Sequence, residues 1–429
     1  MRKLLSIIIF IFYTENLIAN ENLKFYLNKS IENNLILDAE RKKLESSKQN
    51  KNISRSEFLP SITISGDQTS TTSTNKTNQS GASLADSSLD SESKSISIEQ
   101  KIFSGFKGVN TFKKTELETN KAKLELKKVE QNTIFNAASI YFDLIYKFKN
   151  EKFNILNVNL FERQVEIDGA RLQKGEITLT DLAQSESSLA GANAKLIKAN
   201  TELLSAKTNF QRVTGEQIPD VEKLNEKISL ELPRSLKSSL EIAKLNNISL
   251  MISELDYKIS SKDLNIEKSR LSPSASIKVS KSENRDFSSS VDKKDDETVE
   301  ATITWPIVKG GENISSIKKS TFNRQRAKLI LQDTNNKVTT ETSNSWSKYQ
   351  SSKSVLDATK AQLKAAEIAN EGITLEYDSG NTRSTLEVIQ SRSLLLEARI
   401  DFAKAERDYM ISQFELAEQL GTLSVKSLN

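Results

Sequence analysis

Hydrophobic residues in this chain recur mostly at three- and four-residue spacing, the period of a helix with one buried face. The longest such stretch runs from Val109 to Asp168, sixty residues with no Gly or Pro to interrupt it. As a single helix it would extend about 90 Å, roughly three times the hydrocarbon thickness of a bilayer. Within it Ile134, Ala137, Tyr141, Leu144, Phe148, Ile155, Val158 and Val165 form an apolar stripe among Lys, Glu and Asn, so the pattern predicts a coiled-coil helix and no membrane span. Gly175 reads as a left-handed cap at a helix reversal, with Thr178 and Thr180 placed to cap the next helix. Leu182, Leu189, Leu196, Leu203 and Phe210 then stand seven apart, which predicts a second, antiparallel coiled-coil helix.

Upstream of the long helix the period changes. Residues 21–57 have a helical pattern, with Leu23, Leu27, Ile31, Leu35 and Leu44 on one side, and the pattern closes at Phe58-Leu59-Pro60. Alternation of Ile with Ser and Thr then predicts strands at about 61–65 and 95–103, separated by a polar loop from Gly66 to Ser93. The long helix is expected over 105–171 and its partner over 177–214.

After a connector at 216–234 the same order returns: a helical stretch from Ser235 to Arg270, strands at about 274–280 and 298–307 around an acidic loop, a long helix over 311–377, a helix over 382–420 and a tail at 422–429. Glu312 to Glu371 is again sixty residues free of Gly and Pro, and Ile102 registers with Ile307 and Gly175 with Gly380 at an offset of 205. With one residue inserted near Asn381, the heptad row maps onto Val388, Leu395, Phe402, Tyr409 and Leu416. Residues 21–215 and 235–421 therefore read as two copies of one unit.

Composition narrows the function. Thirteen Gly and five Pro leave little material for loops, and 61 basic against 57 acidic residues, spread along the chain, are a solvated surface rather than a nucleic-acid footprint. The chain has no His and no Cys, which removes the usual zinc ligands, thiol nucleophiles, the Ser-His-Asp triad and disulfides. No constellation of acid, base and nucleophile is visible, so neither an enzyme nor a cofactor is expected. Met1-Arg2-Lys3 followed by the short apolar run Leu4–Tyr13 reads as a secretory signal peptide over residues 1–20. Each half offers two strands with one apolar side, and four strands cannot close a barrel, so oligomerisation is the expected solution. A trimeric coiled-coil surface or scaffold protein is the alternative that heptads alone would support.

The order and spacing of Glu21-Asn22-Leu23, Phe58-Leu59-Pro60, Arg171-Leu172-Gln173-Lys174-Gly175 with Thr180-Asp181-Leu182, Trp305-Pro306-Ile307-Val308-Lys309-Gly310-Gly311, and Tyr377-Asp378-Ser379-Gly380 with Leu386-Glu387-Val388 resembles the TolC-like outer-membrane channel family over essentially the whole mature chain. The resemblance implies a mainly α protein with a small membrane β-barrel. Internally duplicated long coiled-coil helices and four strands per protomer would form a homotrimer with a twelve-stranded barrel and an α-helical periplasmic tunnel. It implies a passive exit duct in the outer membrane of a Gram-negative bacterium, for type I secretion or multidrug efflux. Its expected partners are a periplasmic adaptor, an inner-membrane ABC or proton-driven pump, and outer-membrane lipid.

By the same resemblance, gate or latch roles fall on Thr180, Asp181, Tyr377 and Arg383, with an Asp181–Arg383 pair expected. A pore constriction falls on Glu387 and Gln390, where Gln390 departs from the family's acidic pattern. The adaptor-docking turns fall at Lys174 and Gly175 and at Ser379 and Gly380. No metal site is implied.

Overall fold

In a computed structural model the described residues are 23–224, 228, 230–288, 290–379 and 383–428. The expected export signal, Gly380 and Asn381 lie outside them. The first copy contains α1 (Leu23–Glu32), α2 (Leu35–Arg55), β1 (Ser61–Ser73), β2 (Ser87–Ser104), α3 (Lys107–Gln173) and α4 (Leu179–Thr214). The second contains α5 (Leu236–Asn246), α6 (Ile248–Lys268), β3 (Ser274–Ser288), β4 (Val291–Thr304), α7 (Glu312–Asp378) and α8 (Thr385–Gln419). Helices α3 and α7 are each 67 residues long. The chain divides into two units, one holding residues up to Asp38, Lys128–Asn247 and Val338 onward, the other Ala39–Lys127 and Ile248–Lys337.

In the first unit a hydrophobic core gathers Leu23, Tyr26 and Leu27 of α1, Ile134, Tyr141 and Leu144 of α3, Leu203 and Phe210 of α4, and Phe414 of α8, with Leu224 and Leu230 of the connector and Leu428 of the tail laid over them. Leu230 and Leu428 also form an antiparallel bridge. The predicted helices at 21–57 and 235–270 are each interrupted. Asn34 caps α2 by accepting from the N–H groups of Ile36 (2.9 Å) and Leu37 (3.0 Å). At the preceding residue Asn33 Nδ2 donates to the Thr214 carbonyl at the end of α4 (2.6 Å), and in the second copy Asn247 Nδ2 donates to the Gln419 carbonyl at the end of α8 (2.8 Å). Each break thus turns an Asn amide onto a helix end whose last carbonyls have no partner in their own helix. A long-range gain of this kind leaves no trace in local periodicity.

In the second unit the strands form one antiparallel sheet in the order β1-β2-β3-β4. They run well past the predicted ends: the loop expected at 66–93 shrinks to 74–86, and the stretch 281–297 is mostly strand. These extensions carry few apolar residues for alternation to reveal. They are joined instead by backbone pairing and cross-strand polar contacts such as Ser65–Ser95 (2.8 Å) and Lys281–Glu297 (2.8 Å). Ile62, Ile98, Val279 and Val299 stand side by side across all four strands, and the next row holds Thr63, Ser97, Ser280 and Thr298. One face is therefore apolar over several rows and the other polar. Below the sheet, ion pairs tie α2 and α6 to the part of α3 in this unit, Lys51 to Glu116 (2.9 Å) and Lys114 to Asp263 (2.8 Å). Among the described residues no helix is long and apolar enough to cross a membrane.

Two turns test how far local geometry carries stability. Gly175 and Gly421 have φ of +75° and +72°, but a Cβ on Gly175 meets open space whereas one on Gly421 runs into the carbonyl of Asn246. Gly175→Ala is expected to cost about 1 kcal/mol, the left-handed penalty alone. Gly421→Ala should lower the thermal midpoint distinctly further, and equal shifts for the two variants would show that the Gly421 contact carries no weight.

Candidate functional site

The residues singled out from the sequence gather where α3 turns into α4 and where α7 precedes α8, all within the first unit. At the first turn the Gly175 N–H donates to Leu172 O (2.9 Å) and the Glu176 N–H to Arg171 O (2.9 Å), which closes α3 in a Schellman motif. Lys174 is exposed on that turn. Helix α4 opens with a capping box: Thr178 Oγ1 accepts from the Asp181 N–H while the Asp181 carboxylate accepts from the Thr178 N–H (2.9 Å) and hydroxyl (2.8 Å). These bonds hold the Asp181 carboxyl below its ordinary range, the Thr178 backbone N–H first and its hydroxyl second. Thr180 is exposed beside it.

The second turn repeats the device with more charge. Glu387 and Ser384 form the capping box of α8, and Arg383 bridges Glu376 (2.6 Å) and Glu387 (2.8 Å). The Ser384 N–H, then Arg383, then the Ser384 hydroxyl keep the Glu387 carboxyl low, and Glu376 followed by Glu387 raises the Arg383 guanidinium. The expected Asp181–Arg383 pair is absent within the protomer, because each partner is engaged at the start of its own helix. Gln390 is exposed on α8. Ser379 bonds back to the carbonyls of Leu375 (2.8 Å) and Glu376 (3.1 Å).

Tyr377 stands apart from these exposed groups. It is 3% exposed and its hydroxyl donates to Asp168 Oδ1 (2.8 Å). Asp168, fully buried, also accepts from Gln164 Nε2 (3.0 Å) and from Ser185 Oγ (2.5 Å). Gln164 turns its amide oxygen to Arg392 Nη1 (3.0 Å), which also donates to Leu160 O (3.1 Å). Thr385 Oγ1 lies 3.2 Å from the Tyr377 hydroxyl, and the Arg171 guanidinium lies 4.3 Å from the centre of the Tyr377 ring. One carboxylate thus joins α3, α4 and α7 directly and reaches α8 through Gln164 and Tyr377. Burial lowers the Arg392 guanidinium below its usual value, against the attraction of Asp378, Tyr377 and Asp168.

Sequence reasoning named Tyr377 and missed Asp168, Gln164, Ser185 and Arg392. Beyond Phe148 the buried row of α3 drifts off the predicted stripe: Val158 stays buried, but Ile155 is 41% exposed and Val165 half-buried, while Asn154, Asn157, Phe161, Gln164 and Asp168 are buried. That row keeps the three-four spacing, so the signal was a heptad pattern written largely in polar residues. Among the described residues no group of His, Cys, Asp and Glu is arranged to hold a metal ion.

The sequence matches a family model described as outer membrane efflux protein over residues 26–216 and 240–422, one segment in each copy. Outer membrane efflux protein BepC of Brucella suis biovar 1 (strain 1330) is 25% identical over 416 residues, 95% of this chain and 87% of BepC. Among solved structures the fold is similar to the CmeC outer membrane channel of Campylobacter jejuni, with a TM-score of 0.80 and 16% identity over 94% of this chain and 86% of that one. It is likewise similar to the outer membrane protein VceC of Vibrio cholerae, with a TM-score of 0.78 and 15% identity over 93% and 96%.

The buried cluster yields a graded expectation. Asp168→Ala leaves three buried donors without their acceptor and should cost about 2–4 kcal/mol. Asp168→Asn keeps one acceptor oxygen and should fall between Ala and wild type. Chemical or thermal unfolding of the assembled protein measures both, and an Asp168→Ala variant as stable as wild type would show that the cluster holds nothing together.

Proposed function

The chain belongs to the outer membrane efflux protein family, and from that premise we propose that it is a passive exit duct for type I protein secretion or multidrug efflux. A homotrimer completes the barrel, and an inner-membrane pump drives transport through a periplasmic adaptor. The observation that carries this reading is the sheet: four strands with apolar and polar faces separated row by row, ending in two edges, β1 and β4, that have no further strand partner among the described residues. Three copies joined edge to edge satisfy every backbone group that lipid would otherwise strand. Transport then needs no catalytic residue and no cofactor, only a path and a way to close it.

The gate in this reading lies at the two turns. The buried Asp168–Tyr377 link holds the α3–α4 and α7–α8 hairpins together inside a protomer. Exposed Thr180 and Arg383 and half-buried Asp181, at the starts of their helices, are the polar groups available to a neighbouring protomer, and an adaptor meets the turns at Lys174, Gly175 and Ser379. Glu387, repeated by threefold symmetry, supplies a ring of carboxylates that favours cations. Because Arg383 lies 2.8 Å from each Glu387, the ring is partly neutralised, and Gln390 adds no charge to it.

Reconstitution in planar bilayers tests the duct directly. The trimer is expected to conduct, weakly when closed, and a purified trimer that never conducts, even with the gate residues replaced, would sink the duct in favour of a scaffold role. Asp181→Ala combined with Arg383→Ala should raise basal conductance. Arg383→Ala alone should increase cation preference and Glu387→Ala reduce it, read as opposite shifts of reversal potential under a salt gradient. Equal reversal potentials in all three proteins would remove Glu387 from the constriction.

A further inference from the structure

The apolar face of the sheet is short. From the helix-proximal end its rows are Phe103 with Ala275 and Ile303, then Gln100 with Ile277 and Ala301, then Ile62, Ile98, Val279 and Val299, then Ile64 and Ile96. In that fourth row the neighbouring strands already carry Lys281 and Glu297, 2.8 Å apart. The next two rows of the same face are Gly66, Lys94, Glu283 and Asp295, and then Gln68, Glu92, Arg285 and Lys293. Four rows span about 20 Å along antiparallel strands. At the tilt of roughly 40° found in membrane barrels that is about 15 Å across the bilayer, against the usual apolar band of about 25 Å.

Where the face changes from apolar to ionic it is also hollowed. A recess of about 510 Å³ is lined by Ile64, Gly66, Ile96, Lys94, Lys281 and Glu283. The missing side chain of Gly66 opens it, the two Ile give it an apolar side, and two ammonium groups stand on the other. Each Lys is paired on one flank, Lys94 with Glu92 at 2.6 Å and Lys281 with Glu297 at 2.8 Å. An ammonium has three N–H donors, so such a pair leaves it donors for an anion. Ionic rows on a lipid-facing surface are too costly to sit in hydrocarbon, so they mark its limit.

We propose that this recess seats the phosphate-bearing head group of a membrane lipid, with Lys94 and Lys281 holding the phosphate and Ile64 and Ile96 the top of an acyl chain. The ionic rows beyond it then fix the protein in a locally thinned bilayer. The proposal rests on the reading that the sheet joins a barrel with its apolar face toward lipid. Phosphate is a group that two neighbouring ammonium ions beside an apolar floor recognise, and the register places Lys94 and Lys281 one row apart on adjacent strands, with the Glu283 carboxylate beside them, at the height where the hydrocarbon must end.

The intact protein is reconstituted in vesicles of phosphatidylethanolamine and phosphatidylglycerol. Since the chain has no Cys, single cysteines introduced at Val279, Ser280, Lys293, Asp295 and Val299 each take one nitroxide label. Labels at 279 and 299 should be accessible to oxygen, and labels at 293 and 295 to a polar nickel chelate at head-group depth. Oxygen-type accessibility at 293 and 295 would overturn the thinned bilayer while leaving the barrel intact. Chelate accessibility at 279 and 299 equal to that at 280 would instead overturn the lipid-facing assignment itself. Phospholipid retained by the purified trimer, counted by native mass spectrometry, should fall about fivefold for each of Lys94→Gln and Lys281→Gln. Retention equal to wild type in the double variant would remove the seat. Lys281→Leu with Glu297→Leu makes the fourth row apolar across all four strands and should shift the preferred bilayer thicker; an unchanged preference would count against the ionic boundary.

Discussion

A β-strand edge is a row of unpaired backbone donors and acceptors, and in lipid nothing but another strand can satisfy them. This sheet has two such edges, on β1 and β4. The separation of Ile and Val from Ser and Thr across its rows comes from the same constraint, because a strand closed into a barrel shows one side chain to lipid and the next to the lumen. The chain therefore builds an incomplete object, and the duplication supplies half of what is missing by placing two hairpins, β1–β2 and β3–β4, side by side.

Duplication also sets how the helical unit is finished. In the first copy Asn33 turns back onto the end of α4, and in the second Asn247 turns back onto the end of α8. The same chemical solution appears twice, at breaks in helices that a periodicity reading joins into one. The two copies differ at the starts of α4 and α8. One capping box there uses Asp181 alone, whereas the other draws in Arg383 and Glu376 as well. The charged group that distinguishes the second hairpin is thus built on a helix cap, whose geometry is fixed before any neighbour arrives.

What could be read in the sequence depended on how strongly a feature repeats. The long helices, the heptad rows at Leu182–Phe210 and Val388–Leu416, and the alternation around Ile62 and Val299 are carried by apolar residues at fixed periods. The mainly helical fold and its duplication were legible from them, whereas the family was legible through the resemblance of short motifs such as Phe58-Leu59-Pro60 and Tyr377-Asp378-Ser379-Gly380. The strand extensions were not, because Ser, Thr and paired ions have no apolar side to alternate. The site was legible only in part. Its exposed members show in turn and cap signatures, but Asp168 is a polar residue on a core row, and its meaning depends on Ser185 and Tyr377, which lie 17 and 209 positions away.

Asp168 has a further consequence for the coil that contains it. Leu, Ile and Ala rows repeat every seven residues, so a helix slid along its neighbour by one heptad, about 10.5 Å, meets similar apolar surface again. A single carboxylate matched to Ser185, Gln164 and Tyr377 does not repeat. Any other axial setting would leave a buried charge facing side chains that offer it no hydrogen. The four helices therefore have one permitted longitudinal alignment, and movement open to them is rolling or splaying about their axes rather than translation along them.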